Sequence, residues 1–289
     1  MNVLRLGFTD TFDGTKTFFT HLFEKRYTVI RDDVNPDYLI FGDRNFGGHN
    51  TTFNNKNCIK IFFTGENERP WDYHCHFAMC FEHLENEKCI RFPHYVIYEF
   101  DHHILGRHIR KSDDSEEIRD KDFCSFIQKN PNAEKRNWYF HELSKYKQVV
   151  AAGPLFNNTG GVTPVGVTGK VDCMSKFKFN LCFENSAYPG YLTERLYEAL
   201  CAKTIPIYWG SGTAGLDFNP KAFLNWHDYR NDEEFIKAII ELDQNEEKYM
   251  EMYMQPMFNN NEKKNKYFYD EYILDWFDKN VYKGVINGQ

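Results

Sequence analysis

The chain reads as an α/β protein of two domains, each with a largely parallel sheet. Three observations lead there. Short apolar runs without polar alternation, such as 58–63, suit strands buried on both faces. These runs alternate with helical stripes, the order expected of β–α–β crossovers. The 289 residues, 42% hydrophobic and 17% aromatic, also exceed one ordinary core, since domains run to about 100–200 residues.

In the first half, the run 3–8 is a strand that empties into the turn-rich stretch 9–14. Phe18, Phe19, Leu22 and Phe23 then recur at helical spacing. Residues 27–30, 38–41, 58–63, 77–81 and 89–92 are further strands. The strand 58–63 ends in a Gly-, Pro- and charge-rich loop, 64–70, and α/β sheets place their chemistry in such loops. Residues 102–119 are polar, mixed in charge and without an apolar period, so they read as an exposed linker. The expected domains are therefore 1–118 and 119–289.

In the second half, Phe123, Phe126 and Ile127 suggest a short helix ending at Asn130 and Pro131, and 133–146 a second helix. Residues 148–152 are a strand, followed by the Gly/Asn-rich loop 153–161. The strand 179–183 leads through the turn 185–190 into a helix with Leu192, Leu196, Ala199 and Leu200 on its buried face. A β-branched strand, 204–209, closes at Gly210. Helices follow at 234–242 and, rich in aromatic residues, at 267–281, the latter assigned to the second domain.

Composition excludes several functions. A formal net charge of −7 lacks the basic field of a nucleic-acid binder. No apolar run approaches the ~18–20 residues of a membrane span. The N-terminus turns polar too early for a signal-peptide core, so the expected compartment is the cytoplasm. The eight cysteines contain no C-x-x-C pair and read as buried thiols rather than a disulfide framework. The stretch 71–83 offers His and Cys side chains for a zinc module, yet alternation through Phe77, Met79 and Phe81 makes it a strand that would turn neighbouring ligands apart. His102, His103 and His108 read as solvated, and Asp120 with Asp122, a D-x-D pair in an acidic stretch, carries no weight.

The chemistry concentrates in 178–226. Strand, Asn-bearing turn and helix start place exposed N–H groups near Tyr191–Glu194, where a helix N-terminus attracts anions. Arg195 adds a cation suited to bidentate phosphate contact. Asn185 and Glu194 add amide and acceptor groups. Spacing alone fits either a pocket for a phosphorylated, hydroxyl-rich ligand or an ordinary β–α–β crossover.

This stretch resembles the donor-binding signature of the bacterial α-1,3-fucosyltransferases of Lewis-antigen type. The resemblance lies in Phe183, Glu184, Asn185 and Ser186, in Tyr191, and in Thr193, Glu194 and Arg195 opening a helix. It continues through Ile205–Gly210 and Phe218–Phe223. Upstream, 63–68 and 130–137 agree as well. Arg195 stands where the family usually has Lys, which keeps the cation and changes its geometry.

The resemblance implies two Rossmann-like domains facing a central cleft (GT-B type), the acceptor on the first and the donor on the second. It implies inverting transfer of L-fucose from GDP-fucose to the 3-hydroxyl of GlcNAc in N-acetyllactosamine-type glycans, as in Lewis-antigen and lipopolysaccharide O-antigen synthesis. Glu66 then matches the general base, whereas by itself it reads as a surface carboxylate. Arg136 matches a phosphate-binding arginine, and Asn185, Tyr191 and Glu194 match residues around the donor's sugar and ribose, with Glu194 also counted as catalytic. Glu184 reads as a structural strand-end residue; Trp209 and Lys221 read as pocket wall or core; the 153–161 loop approaches the guanosine or is a plain surface turn. No metal or cofactor is required on this reading, Mn²⁺ acting at most as a stimulant. Many relatives carry heptad repeats and a basic tail beyond this region, and such a tail would add peripheral contact at the inner membrane. The rival readings are a same-fold enzyme using another nucleotide sugar and a non-catalytic glycan-binding relative.

Overall fold

A computed structural model describes residues 1–53, 57–108, 118 and 120–284. They form two compact units: Met1–Asp101 with the chain from Asn265 onward, and His102–Lys264. Each unit is a parallel sheet flanked by helices, as the apolar runs require.

In the first unit, strands β1 (Asn2–Thr9), β2 (Tyr27–Arg31), β3 (Tyr38–Phe41), β4 (Ile59–Phe63), β5 (Phe77–Cys80) and β6 (Cys89–Arg91) lie in the order β2-β1-β3-β4-β5-β6. Every pairing is parallel, with Phe8 facing Ile40 and Ile40 facing Ile61 in register. Helix α1 (Asp13–Glu24) buries Phe18, Phe19, Leu22 and Phe23, the stripe read from the sequence. Helix α2 (Tyr95–His102), which has no counterpart in the sequence reading, buries Tyr95, Val96 and Ile97.

In the second unit, β7 (Asp122–Phe126), β8 (Val149–Ala151), β9 (Phe177–Leu181), β10 (Ile205–Tyr208) and β11 (Leu224–Asn225) lie in the order β11-β10-β9-β7-β8, again all parallel. Its helices include α3 (Glu134–Tyr146), α4 (Gly166–Met174), α5 (Glu194–Cys201), α6 (Asp232–Gln244) and α7 (Glu246–Tyr253). Their apolar faces meet the sheet through Tyr139, Leu143, Phe235 and Ile239. The helix expected around Phe123–Ile127 is instead the strand β7, paired on both sides by β9 and β8. Its residues are buried on both faces, so the run carries no period-2 signal, and over five residues an apolar i, i+3, i+4 pattern fits either structure. Asp122 opens this strand at its amino end, the edge opposite the strand termini that carry chemistry.

The terminal helix α8 (Asp270–Asn280) belongs to the first unit and not, as expected, to the second. Its stripe signals burial but not the partner. Phe277 is fully buried, with its ring centroid 4.4 Å from Phe23, 5.7 Å from Tyr38 and 5.9 Å from Tyr27. Arg26 bridges Asp275 at 2.6 Å and Asp278 at 2.7 Å, and the Tyr27 hydroxyl donates to Asp278. Beyond the helix, the Tyr282 hydroxyl donates to the Val3 carbonyl at 3.1 Å. The unit break falls at 101/102 rather than 118/119, and most of the proposed linker, 109–117 and 119, lies outside the described residues. In its described part Ile104 and Ile118 are buried, and Arg107 pairs with Asp172 on α4.

Phe277→Ala should destabilise the first unit by about 3–5 kcal/mol, the usual cost of emptying a phenylalanine site. Urea unfolding followed by circular dichroism checks this against the exposed replacement Lys279→Ala. Equal midpoints would mean that the helix contributes no core.

Candidate active site

Open α/β sheets bind ligands outside the carboxyl ends of their strands, where the strand order reverses. In the second unit that point lies between β7 and β9, because the chain runs from β7 outward to β8 and returns to β9 on the other side. A recess of about 480 Å³ opens there. Ile127, Gln128, Lys129, Asn130 and Pro131 line it from the end of β7, Pro154 from the end of β8, Lys170 from α4, and Glu194 and Arg195 from the start of α5.

Glu184, fully buried just beyond the end of β9, fixes the start of α5. Its Oε1 accepts the Thr193 N–H at 2.9 Å and its Oε2 the Thr193 hydroxyl at 2.7 Å. The same Oε2 accepts Nη1 of Arg195 at 2.9 Å. Burial raises the Glu184 pKa, and Arg195 opposes the rise. For Arg195, burial works against the charge, but Glu194 and Glu184 outweigh it and hold the guanidinium protonated. The glycines around this carboxylate follow from crowding. A Cβ on Gly210 would stand 2.5 Å from Glu184 Cγ and 2.6 Å from the Tyr208 hydroxyl. Gly190, at φ 85°, turns the chain so that its N–H meets Ser211 Oγ and Thr213 Oγ1, both at 2.8 Å.

Arg136 stands on α3 with no exposed surface. Its Nη1 donates to Asn185 Oδ1 at 3.0 Å and its Nη2 to the Asn130 carbonyl at 2.7 Å, while its buried Nε has no partner. Burial, helped by repulsion from Arg195, lowers its pKa to about 10, so it stays charged at neutral pH. It therefore meets the site through Asn185 and Asn130. Tyr191 is also enclosed, 2% exposed, beneath the turn. Glu194 and Arg195 are the predicted residues that reach the recess itself. Trp209 is half-buried against Phe183, and Lys221 is exposed on a short turn capped by Asn219. Of the 153–161 loop only Pro154 lines the recess; Phe156 stacks on Phe140, and Asn157 and Asn158 bond the loop to itself and to β8.

In the first unit, Glu66 is exposed in the loop after β4. Its N–H donates to Thr64 Oγ1 at 3.0 Å, and that hydroxyl donates to Asp43 Oδ2 at 2.6 Å. Asp43 Oδ1 in turn accepts the Asn45 N–H at 2.9 Å, so one buried carboxylate ties the loops after β3 and β4 together. Glu68 is half-buried and accepts the Tyr73 hydroxyl at 3.3 Å. The cysteines are all free thiols, and among the described residues no group of three or more His, Cys, Asp or Glu could hold a metal ion. His76 uses Nδ1 to accept the Lys60 N–H at 2.9 Å.

The description "Glycosyltransferase family 10 (fucosyltransferase) C-term" matches residues 117–270, and "Alpha-(1,3)-fucosyltransferase FucT N-terminal domain" matches 3–98. The chain belongs to this fucosyltransferase family. It is 32% identical over 283 residues to the alpha-(1,3)-fucosyltransferase FucT of Helicobacter pylori, covering 86% of this chain and 57% of that protein. The chain thus spans just over half the length of that relative. A human 4-galactosyl-N-acetylglucosaminide 3-alpha-L-fucosyltransferase 9 is 30% identical over 114 residues, 39% of this chain and 30% of its own. A crystal structure of an alpha1,3-fucosyltransferase with GDP-fucose superposes with a TM-score of 0.78 at 25% identity, covering 99% of this chain and 94% of that one. Two parallel α/β units are the fold of this family, as the resemblance implied. No helix among the described residues is long and apolar enough to cross a membrane.

The sequence pattern does not single out Gln128, Lys170 or Glu198. Gln128 follows the strand mistaken for a helix, and Lys170 lies in α4, whose Gly- and Thr-containing sequence carries no clear stripe. Glu198, one turn beyond Glu194, is buried and pairs with Lys170 through Oε2, and its Oε1 has no partner. Burial raises its pKa to about 7, against the pull of Lys170. Unfolded, it titrates near 4.5. The folded chain therefore keeps this proton longer: the contribution is full below pH 4.5 and is lost as pH rises to 7. Relative to Glu198→Gln, the wild-type stability should fall across that window and level off above it, read as denaturant midpoints from pH 4.5 to 8. Parallel curves would mean that Glu198 titrates like an exposed carboxylate.

Proposed function

We propose that the chain transfers L-fucose from GDP-fucose to the 3-hydroxyl of GlcNAc in N-acetyllactosamine-type glycans, with inversion at the sugar carbon, as Lewis-antigen synthesis requires. The observation that carries the reading is the recess at the β7/β9 reversal, bordered by a helix N-terminus and Arg195, with the buried Arg136 behind its wall, bonded to the carbonyl of Asn130. The family membership, and relatives that act on 4-galactosyl-N-acetylglucosaminides or bind GDP-fucose, support donor and acceptor alike.

In this reading Glu66 takes the proton from the GlcNAc 3-hydroxyl. The oxygen attacks the fucose C1 from the face opposite the nucleotide, the C1–O bond to the β-phosphate breaks, and GDP leaves with that electron pair. Negative charge grows on the diphosphate as the bond breaks. The α5 N-terminus and Arg195 meet it directly, and Arg136 acts through Asn185. Glu194 lies at the recess where it accepts from the donor's ribose and sugar hydroxyls, while Tyr191 supports the turn from beneath. These groups stabilise the leaving diphosphate without a divalent ion.

Glu66→Gln should lower transfer by about 10²–10⁴-fold, the usual worth of a general base, and leave GDP-fucose affinity by calorimetry within about twofold of wild type, since a base acts on the transition state and not on donor binding. Glu68→Gln, whose carboxylate is engaged by Tyr73, should retain transfer. Product linkage on a type 2 disaccharide completes the assay. The reverse pattern would move the base to Glu68, and two active variants would place it elsewhere.

Transfer should also survive excess chelator, because directed N–H donors meet the departing charge. Complete loss that Mn²⁺ restores would defeat the metal-independent part of the reading.

A further inference from the structure

The recess is larger than a diphosphate needs. About 480 Å³ lies within the range of roughly 300–1,000 Å³ typical of pockets for whole small molecules. Its Arg195 end carries the anion-binding features. The rest of the wall combines the apolar Ile127, Pro131 and Pro154 with the polar Gln128, Lys129 and Asn130, and Lys170 joins Arg195 in lining a smaller neighbouring cavity as well. Lys170 is held by Glu198, whose side chain is 1% exposed against 22% for the lysine. An ammonium has three N–H donors, so one bond to Glu198 leaves two for a ligand. A lysine held by a buried carboxyl group is a weaker anchor for phosphate than a free one, because the ionised carboxylate offsets its charge. Its N–H donors keep their direction.

We propose that Lys170, braced by Glu198, reads the O6/N7 edge of the donor's guanine and sets the preference for a guanosine nucleotide. The inference rests on the donor reading above and deepens it. Guanine presents two adjacent acceptors on that edge, the pair that lysine meets well in nucleic-acid recognition. Adenine places an amino donor where O6 would be and turns it against the ammonium. Uracil lacks the second ring and does not span from the apolar walls to Lys170.

The test is calorimetry of GDP, ADP and UDP with the full chain at fixed ionic strength. Lys170→Met keeps the stem and removes the donors. Lys170→Met with Glu198→Gln removes both members of the pair, so no buried carboxylate is left unpaired. Both variants should lose about tenfold or more in GDP affinity, in line with a bidentate base contact, and leave ADP and UDP within about twofold. The retained ADP and UDP binding also reports that the fold is intact. Unchanged GDP affinity in both variants would overturn the proposal. An equal loss for all three nucleotides would overturn it too, placing Lys170 on the diphosphate. A wild type without preference for GDP would overturn the donor reading, and this inference with it.

Discussion

The second unit's site depends on one buried carboxylate. Removing Glu184 from water is costly, several kcal/mol for an ion of this size, unless every lone pair finds a donor. Here the donors are the Thr193 N–H and hydroxyl and the Arg195 guanidinium. The arrangement joins the end of β9 to the first turn of α5, so the helix N-terminus stands at a set distance from the strand-order reversal. It also accounts for the small residue at 210, since any side chain there would displace Glu184. Deleting Glu184 would leave Arg195 buried beside Glu194 alone and release the turn that carries Asn185.

Much of this is legible in the sequence, for identifiable reasons. A parallel strand covered on both faces is an uninterrupted apolar run, and 38–41 is recognised without error of bounds. The 178–200 stretch holds its chemistry in one continuous segment, so strand, turn and helix start can be read together. The strand Asp122–Phe126 fails for the same physics: full burial erases the alternation that would separate it from a helix. The terminal helix shows a second limit. Its aromatic stripe is plain, but the complementary aromatics, Phe23, Tyr27 and Tyr38, lie more than two hundred residues earlier. Lys170 and Glu198 are found only when α4 and α5 are laid side by side, because no local pattern links residues on two helices.

Charge in this unit is organised by pairing and not by a field. Arg195 faces Glu184 and Glu194, and Lys170 faces Glu198. A chain with a net charge of −7 gains no long-range attraction for an anionic donor. On the proposed donor, recognition of a diphosphate comes from short-range donors with fixed directions, in surroundings of low dielectric where screening by salt is weak. Arg136 carries this furthest: it has no surface, yet its charge lies one hydrogen bond behind Asn185. Such a cation contributes through potential and through the orientation of the amide it holds.

The carboxyl edge of the first unit shows the opposite use of acidic groups. Asp10 is occupied by the N–H groups of His49 and Asn50, at 2.9 and 2.8 Å. Asp43 is occupied by Thr64 and Asn45, and Glu68 by Tyr73. Each of these carboxylates fastens a loop, and a carboxylate engaged in that way cannot take a proton from a substrate without loosening the loop it holds. Glu66 differs in being bound to the network by its backbone, through Thr64, while its side chain is exposed. The proposed base, Glu66, thus stands in a loop whose position is set by the Asp43–Thr64 pair and by the Glu66 N–H that meets it.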